Sequence, residues 1–402
     1  VDNASNPFTA AVAVVGGGPA GLVAAIALAT AGVDTLLIAP PAKPDHRTTA
    51  LLAGSVTALE TLGVWAVCAT DAAPLRKIRI VDGTERLMRA PEVLFDAAEI
   101  DLDAFGYNIE NRHLIAALET RAVALKIPRI AGAALSIASN DSGVTIRHAD
   151  GEARVQLVVG ADGRRSLCRA AAGISASQRT YRQSALTLNL AHTRPHDDTS
   201  TEFHTESGPF TLVPLPGRRS SLVCVVDPAE ADALTAMGDA ELAADIERRA
   251  HSLLGKTSVE AGRGVFPLAV EIAEPLARLR IALVGEAAHV VPPIGAQGLN
   301  LGLRDGAAIA ELVADARRDN RDIGSAEVLH RYDAERYLDV TSRTFVVDAL
   351  NRSLLADFIL AQGARGLSLY LVDRIGPLRR ALMREGVTPA ASQPRLMRGE
   401  MV

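Results

Sequence analysis

The sequence predicts an α/β fold in which a parallel sheet flanked by helices is interleaved with a smaller α+β unit of antiparallel sheet and followed by C-terminal helices. Three observations carry this. The apolar run Ala11 to Val15 passes through Gly16-Gly17-Gly18-Pro19-Ala20-Gly21 into an Ala/Leu-rich run ending at Thr30, the pattern of strand, tight turn and helix. Two further apolar runs, Val155 to Val159 and Arg280 to Val284, also end in glycine-bearing loops, at Gly160 and Gly285. Between these runs the texture changes to short alternating stretches with turn residues, as antiparallel sheet requires.

Gly16, Gly18 and Gly21 fit G-x-G-x-x-G, with one glycine for the turn, one for backbone approach to a pyrophosphate and one for close helix packing. Pro19 and Ala20 then open a helix whose unpaired N–H groups and dipole favour phosphate. The loop predicts a Rossmann-like dinucleotide site without saying which dinucleotide. Residues 9 to 33 carry no charge and are long enough to span a bilayer. Against that reading, no Lys or Arg precedes Lys43, and glycines and a proline interrupt the stretch.

The 402 residues suffice for two or three structural units. A net charge of −5 with 3% aromatic residues argues against nucleic-acid binding. Cys68, Cys168 and Cys224 are far apart and form neither a disulfide framework nor a zinc motif. The expected setting is a reducing cytoplasm.

In chain order, Asp34 to Ala39 reads as a second parallel strand, completing a βαβ unit. An acid is expected there for the ribose hydroxyls, and Ala39 stands in its place. Arg47 precedes a helix over Val56 to Trp65, and Arg47 is suited to a pyrophosphate. Arg76 to Thr84, with Asp82-Gly83, reads as a hairpin, and a helix is expected from Tyr107 to Glu119 with Asn111 near its start. Residues 129 to 158 read as three short strands, the last leading to Gly160-Ala161-Asp162-Gly163. Strands at 184–190, 209–214 and 219–226, with a helical stretch from Glu230 to Leu254, form the second unit. A long helix from about Gly298 to Arg318 follows a loop with Pro292, Pro293 and Gly295, a second anion site. The stretch from Pro377 to Gly386 is basic and amphipathic.

The three loops in this order, interrupted twice by antiparallel sheet, resemble the FAD-dependent aromatic hydroxylases of the para-hydroxybenzoate hydroxylase-like superfamily. The resemblance implies that Gly16, Gly18, Pro19, Ala20 and Gly21 hold the FAD pyrophosphate, and that Ala161, Asp162 and Gly163 lie near the phosphates and riboflavin chain. It places Gly285 and Glu286 on the ribityl chain, where the family has Asp rather than Glu. Arg47-Thr-Thr-Ala-Leu, Glu110-Asn111-Arg112, Gln297-Gly298-Leu299-Asn300 through Asp305 and Pro394 to Gly399 are similar to segments of the ubiquinone-biosynthesis branch. Arg47 and Arg112 are therefore expected at the cofactor, and Pro292, Pro293 and Gly295 beside the flavin ring.

The implied domains are 1–75, 106–180 and 270–340 for FAD binding, 76–105 and 181–269 for substrate, and 341–402 as a C-terminal helical segment. The implied reaction is hydroxylation of a polyprenylated phenol with NAD(P)H as transient co-substrate and O₂, through a C4a-hydroperoxyflavin. The N–H groups of Gly298, Leu299 and Asn300 suit the negative charge of a reduced flavin. No catalytic base is assigned; His192, Arg194 and His204 fall in the right domain. Alternatives are a flavin-dependent isoprenoid double-bond reductase and a flavin-poor scaffold of a biosynthetic complex, the latter motivated by Ala39 and Glu286. An acid restored at position 39 is expected to tighten FAD. The basic stretch is expected to touch anionic membrane or a partner.

Overall fold

The computed structural model describes residues 9–42, 45–84, 91–355, 374–387 and 393–402. The first βαβ unit is β1 (Ala10–Val15), α1 (Pro19–Thr30) and β2 (Thr35–Ile38). β3 (Thr48–Leu52) leads into α2 (Ala53–Thr61), which stops before Gly63 at φ +71°, then α3 (Trp65–Cys68) and β4 (Ala72–Pro74). The chain leaves through β5 (Lys77–Asp82) and β6 (Val93–Asp96) and returns by β7 (Gly106–Glu110) into α4 (Asn111–Ala124). β8 (Arg129–Ile130), β9 (Ser136–Asn140), β10 (Gly143–His148), β11 (Gly151–Gly160) and α5 (Leu167–Ala171) complete this half.

The second unit contains β12 (Ser175–His192), β13 (Thr199–His204), β14 (Pro209–Leu215), β15 (Arg219–Val226), α6 (Pro228–Ala236), α7 (Asp239–Arg249), β16 (Thr257–Val259) and β17 (Gly264–Glu274). β18 (Ala277–Arg278), β19 (Ile281–Leu283) and β20 (His289–Val290) precede α8 (Gln297–Arg318), α9 (Ala326–Leu355) and α10 (Gly376–Val387).

Several local expectations are corrected. Tyr107 to Glu110 is strand, because β7 fills the middle of a small sheet in the order β3-β7-β4 and is buried on both faces. The helix therefore begins at Asn111. Glu230 to Leu254 is two helices broken at Gly238, which caps the second. Residues 129–158 contain parts of four strands. β5 and β6 pair antiparallel as a hairpin would, while residues 85–90 between them lie outside the described residues. Positions 180 and 270 fall inside β12 and β17, which pair antiparallel from Ser175 opposite Glu274 to Thr187 opposite Gly264. The two units thus share continuous strands at those positions.

The main sheet runs β18-β19-β11-β1-β2-β8, with β19, β11, β1, β2 and β8 parallel. Its strands are continuous apolar runs because they are buried on both faces. α1 is apolar nearly all round and crosses α8 closely: a Cβ on Gly302 would lie 3.2 Å from the Ala20 Cβ, and one on Gly306 3.2 Å from the Ala24 backbone. Residues 9–33 are thus a core strand and helix, and among the described residues no single helix is long and apolar enough to cross a membrane.

The second sheet runs β20-β17-β12-β15-β14-β13-β5-β6. Strand alternation divides its faces. Leu186, Leu188, Leu190, Phe203, Phe210, Leu212, Leu222 and Cys224 pack against α6 and α7. The alternate residues Asn189 and Ser221 face the first unit, where the Asn189 amide donates to the His46 carbonyl at 3.3 Å and Asn108 donates to the Ser221 hydroxyl at 3.0 Å.

The α1–α8 crossing leaves no room for a branched side chain. Gly306→Val should cost about 1–3 kcal/mol by overpacking. Thermal unfolding should show this as a fall in Tm, and an unchanged Tm would mean that the helices can separate freely.

Candidate cofactor site

Three glycine-bearing loops emerge side by side because their strands are neighbours. The Gly16 N–H donates to the Ile38 carbonyl at 2.9 Å, the Ala161 N–H to Val15 at 2.8 Å and the Val284 N–H to Gly160 at 2.9 Å. Gly16 sits at φ +119°, and a Cβ there would lie 2.2 Å from the Ala161 carbonyl oxygen. A Cβ on Gly21 would lie 2.2 Å from the Gly16 oxygen, so that glycine lets the helix start against the turn. Gly18 is different: nothing lies within 4 Å of its would-be Cβ. It caps α1 without any side-chain hydrogen bond, and Pro19 follows. The first-turn N–H groups at Ala20 and Gly21 therefore face an open, glycine-lined cradle fit for a phosphate.

The third loop turns outward at Gly285, φ +59°, next to Ala20. Glu286 is exposed there, presenting a carboxylate acceptor. Downstream, Pro292 and Ile294 are buried and anchor the loop, while Pro293 and Gly295 are exposed. Of the two prolines assigned to the ring, only Pro293 thus faces outward. Gly295 and Ala296 both adopt left-handed φ, 64° and 55°, and turn the chain into α8 with no side-chain cap. This leaves the N–H groups of Ala296, Gln297, Gly298 and Leu299 unpaired within the helix, while that of Asn300 closes its first turn. The Asn300 side chain is committed elsewhere: its Oδ1 accepts from the Leu52 N–H at 2.9 Å and its Nδ2 donates to the Ala50 carbonyl at 2.8 Å.

The other expected contacts are partly occupied. Arg47 grips Asp45 with Nε at 2.9 Å and Nη2 at 2.8 Å, and its guanidinium lies 5.6 Å from the Phe266 ring centroid. The hydrogen bond to Asp45 raises the Arg47 pKa, and attraction to Asp45 and Glu286 adds to it against burial. Arg112 is half exposed and paired with Glu110 at 3.0 Å. The Asp162 carboxylate is turned away from the cradle, accepting from the Ser166 hydroxyl at 2.6 Å and the Cys168 N–H at 3.1 Å. It organises the start of α5, leaving the loop backbone for a ligand. Ala39 at the end of β2 is wholly buried, and the Arg129 guanidinium occupies that corner, donating to Pro40 O at 3.0 Å.

A buried charge cluster fixes this arrangement, and the sequence reading missed it. Asp305 Oδ2 accepts from the Gly285 N–H at 3.0 Å and from His289 Nε2 at 2.6 Å, and its Oδ1 accepts from Arg336 Nε at 2.7 Å. Burial opposes ionisation of Asp305 most strongly, yet attraction to His289 and Arg336 and these hydrogen bonds outweigh it and hold the pKa down at about 2. Asp339 accepts from Arg304 at 2.9 Å, Arg336 at 2.7 Å and Arg343 at 2.8 Å, and Arg343 in turn reaches Gln297 Oε1 at 3.2 Å. The signal lay in Arg336, Asp339 and Arg343, spaced three and four residues apart on one helical face.

Of the histidines named from sequence, His192 is buried with both ring nitrogens engaged, by the Arg194 carbonyl at 2.7 Å and the Ser220 hydroxyl at 3.0 Å. Burial lowers its pKa. Arg194 donates to the Ser252 carbonyl at 3.0 Å. His204 instead meets Glu202 Oε1 at 2.8 Å on the sheet face turned toward the first unit. The described residues contain no group of three or more His, Cys, Asp or Glu able to hold a metal.

Comparison with known proteins decides what this cradle belongs to. Residues 9–344 match the FAD binding domain family. The chain is 36% identical over 401 residues to ubiquinone hydroxylase UbiL of Rhodospirillum rubrum, covering 96% of this chain and 92% of that protein. The chain belongs to the FAD-dependent ubiquinone hydroxylase family. It is also 33% identical over 388 residues to the 3-demethoxyubiquinol 3-hydroxylase of Escherichia coli K12, covering 93% of this chain and 97% of the relative. The p-nitrophenol 4-monooxygenase PnpA of Pseudomonas putida DLL-E4 shares the fold with a TM-score of 0.78 at 20% identity, over 95% of this chain and 99% of that one.

FAD is therefore the cofactor, and the open cradle at Gly18, the exposed Glu286 and the uncapped start of α8 fit its phosphates, its ribityl hydroxyls and the polar edge of its ring. Because the folded pKa of Asp305 is depressed, its stabilising contribution is full above about pH 4 and is lost as pH falls toward about 2. Asp305→Asn should cost about 3–5 kcal/mol by stranding Arg336 and His289. It should also flatten the acid limb of the stability curve between those pH values. Denaturation of both proteins from pH 7 to 2 measures this, and parallel curves would contradict the assignment.

Proposed function

We propose that this ubiquinone hydroxylase family member inserts one oxygen atom from O₂ into the aromatic ring of a polyprenylated phenol, with NAD(P)H as a transient reductant. The observation that carries the reading is the uncapped start of α8, which leaves the N–H groups of its first turn unpaired. The wall of antiparallel sheet turned toward the first unit is mixed, with half-buried Thr187, Val213, Val223, Thr211 and Ile80 beside Asn189, Ser221 and Glu202. FAD, when bound, supplies hydride acceptance and oxygen activation. The unpaired Gly298 and Leu299 N–H groups would stabilise negative charge at the ring's polar edge.

The same wall holds one oriented histidine. His204 Nε2 faces Glu202, which also accepts from the Thr211 hydroxyl at 3.4 Å. With Nε2–H donated to that carboxylate, Nδ1 is left to accept the proton of a phenol. Asp82 pairs with His204 in register from β5, with its carboxylate accepting from Thr84, and Glu206 follows in the next turn. His204 and Arg219, which is held by Glu110 at 3.0 Å and Glu260 at 2.6 Å, lie toward opposite ends of this sheet face.

α10 supports a membrane-facing route for the tail. Arg379, Met383 and Val387 face inward, with Arg379 paired to Glu99 at 2.6 Å and stacked 4.6 Å over the Phe95 ring. Ile375, Leu378 and Leu382 are exposed beside Arg380. This side of α10 rests on an anionic membrane surface, at the cytoplasmic side of the inner membrane. Flotation with anionic vesicles should recover the wild type, and the doubly substituted Leu378→Glu, Leu382→Glu protein should stay behind. Equal behaviour would remove the contact.

The function is tested by incubating the yellow, FAD-loaded protein with NAD(P)H, O₂ and a polyprenylphenol. Mass spectrometry should show one added oxygen, whereas NAD(P)H oxidation without product would overturn the reading. His204→Asn should lower hydroxylation about 10²-fold near neutral pH, with activity recovering at alkaline pH as the phenol ionises by itself. An unchanged pH–rate profile would exclude His204 as the proton acceptor.

A further inference from the structure

The adenosine end of the cradle departs from the usual chemistry of a dinucleotide site. There a carboxylate at the end of the second strand accepts the ribose hydroxyl protons. Here Ala39 takes that position with 0% exposure, and two prolines follow. The corner instead holds an arginine, ion-paired with Glu119. β8 pairs in parallel with β2, Arg129 opposite Leu37, which brings the Arg129 side chain over the end of β2. Its Nη2 donates to the Pro40 carbonyl at 3.0 Å, its Nε to the Ala39 carbonyl at 3.4 Å, and its Nη1 to Glu119 Oε2 at 2.7 Å. A Cβ built on Gly17 would lie 2.9 Å from the Ala39 Cβ and 3.5 Å from Arg129 Nη2. The guanidinium therefore stands at the lip of the first loop, where the ribose must pass if the pyrophosphate lies over Gly18. A guanidinium carries five N–H donors, so each terminal nitrogen keeps one uncommitted. Its side chain is 26% exposed, so the group is reachable by a ligand.

We propose that Arg129 recognises the adenosine ribose of FAD by donating to its oxygens, replacing the missing acid with a group of opposite charge. The inference rests on FAD binding alone and is independent of the substrate reading. It carries a specificity consequence. An acid at this corner repels an added phosphate on the ribose, whereas a positioned arginine accepts one. It also revises the expectation for position 39: a glutamate there would compete with Glu119 and the ribose for the Arg129 N–H groups, rather than tighten FAD.

The test is competition against FAD on the apoprotein, followed by flavin fluorescence, with ADP-ribose and 2′-phospho-ADP-ribose as probes. In the wild type the phosphorylated probe should bind at least as tightly as the plain one. In Arg129→Met both should weaken, the phosphorylated probe at least tenfold more. Ala39→Glu should turn the preference against the phosphate and leave FAD no tighter. Equal weakening of both probes in Arg129→Met would show that Arg129 only ties β8 to β2. A strong wild-type preference for plain ADP-ribose, or tighter FAD in Ala39→Glu, would also overturn the proposal. Ala39→Glu keeps Arg129 and its carbonyl contacts, so it decides the question if Arg129→Met fails to fold.

Discussion

The buried Asp305 carboxylate is the constraint on which the cofactor site depends. It sits in α8, yet it binds the backbone of Gly285 at the exit of β19, the His289 ring beyond that loop and the Arg336 guanidinium of α9. One ionised group therefore sets where the third glycine loop ends and where α8 begins. Buried charge of this kind costs desolvation, and breaking it costs more because the partners are left unpaired. Asp339 extends the constraint, since Arg343 joins it to the Gln297 side chain at the first turn of α8. The uncapped start of α8 is thus held from behind by buried charges.

Small residues do the complementary work in front. α1 and α8 meet over Ala20, Ala24, Gly302 and Gly306, so the loops at Gly16 and Gly285 are drawn together at the end of the parallel sheet. The antiparallel sheet then turns one face to α6 and α7 and the other to this cradle. The latter face is part buried, at Asn189 and Ser221, and part half-buried, at Thr187, Thr211, Val213 and Val223. The cradle and the sheet wall beside it thus arise from packing rules for strands and helices.

The three strand-to-loop transitions and α8 were legible in the sequence because each rests on a local pattern: an apolar run, a glycine that must adopt an unusual φ or a close contact, and a helical period. Tyr107 to Glu110 was misread because its apolar spacing suits a helix locally, and only β3 and β4 on either side make it a strand. Asp162 and Asn300 were assigned to the cofactor by motif, and the structure adds that their side chains bond within the fold, to Ser166 and Cys168 and to Ala50 and Leu52. Arg129 was invisible for a different reason. It lies ninety residues from Ala39, and nothing local says that a strand of two residues will place its guanidinium at a vacancy left by an alanine. Long-range charge placement of this kind depends on strand order, which a single sequence does not encode in any short window.

The central claim is that separate loops, from Gly16, Gly160 and Gly285 and from the start of α8, form one cradle for a single FAD. Backbone hydrogen exchange with and without FAD tests it most directly. The account predicts that slowed exchange appears together at residues 16–21, 161–163, 285–287 and 297–300. Slowing confined to residues 16–21, with the other three segments unchanged, would contradict it.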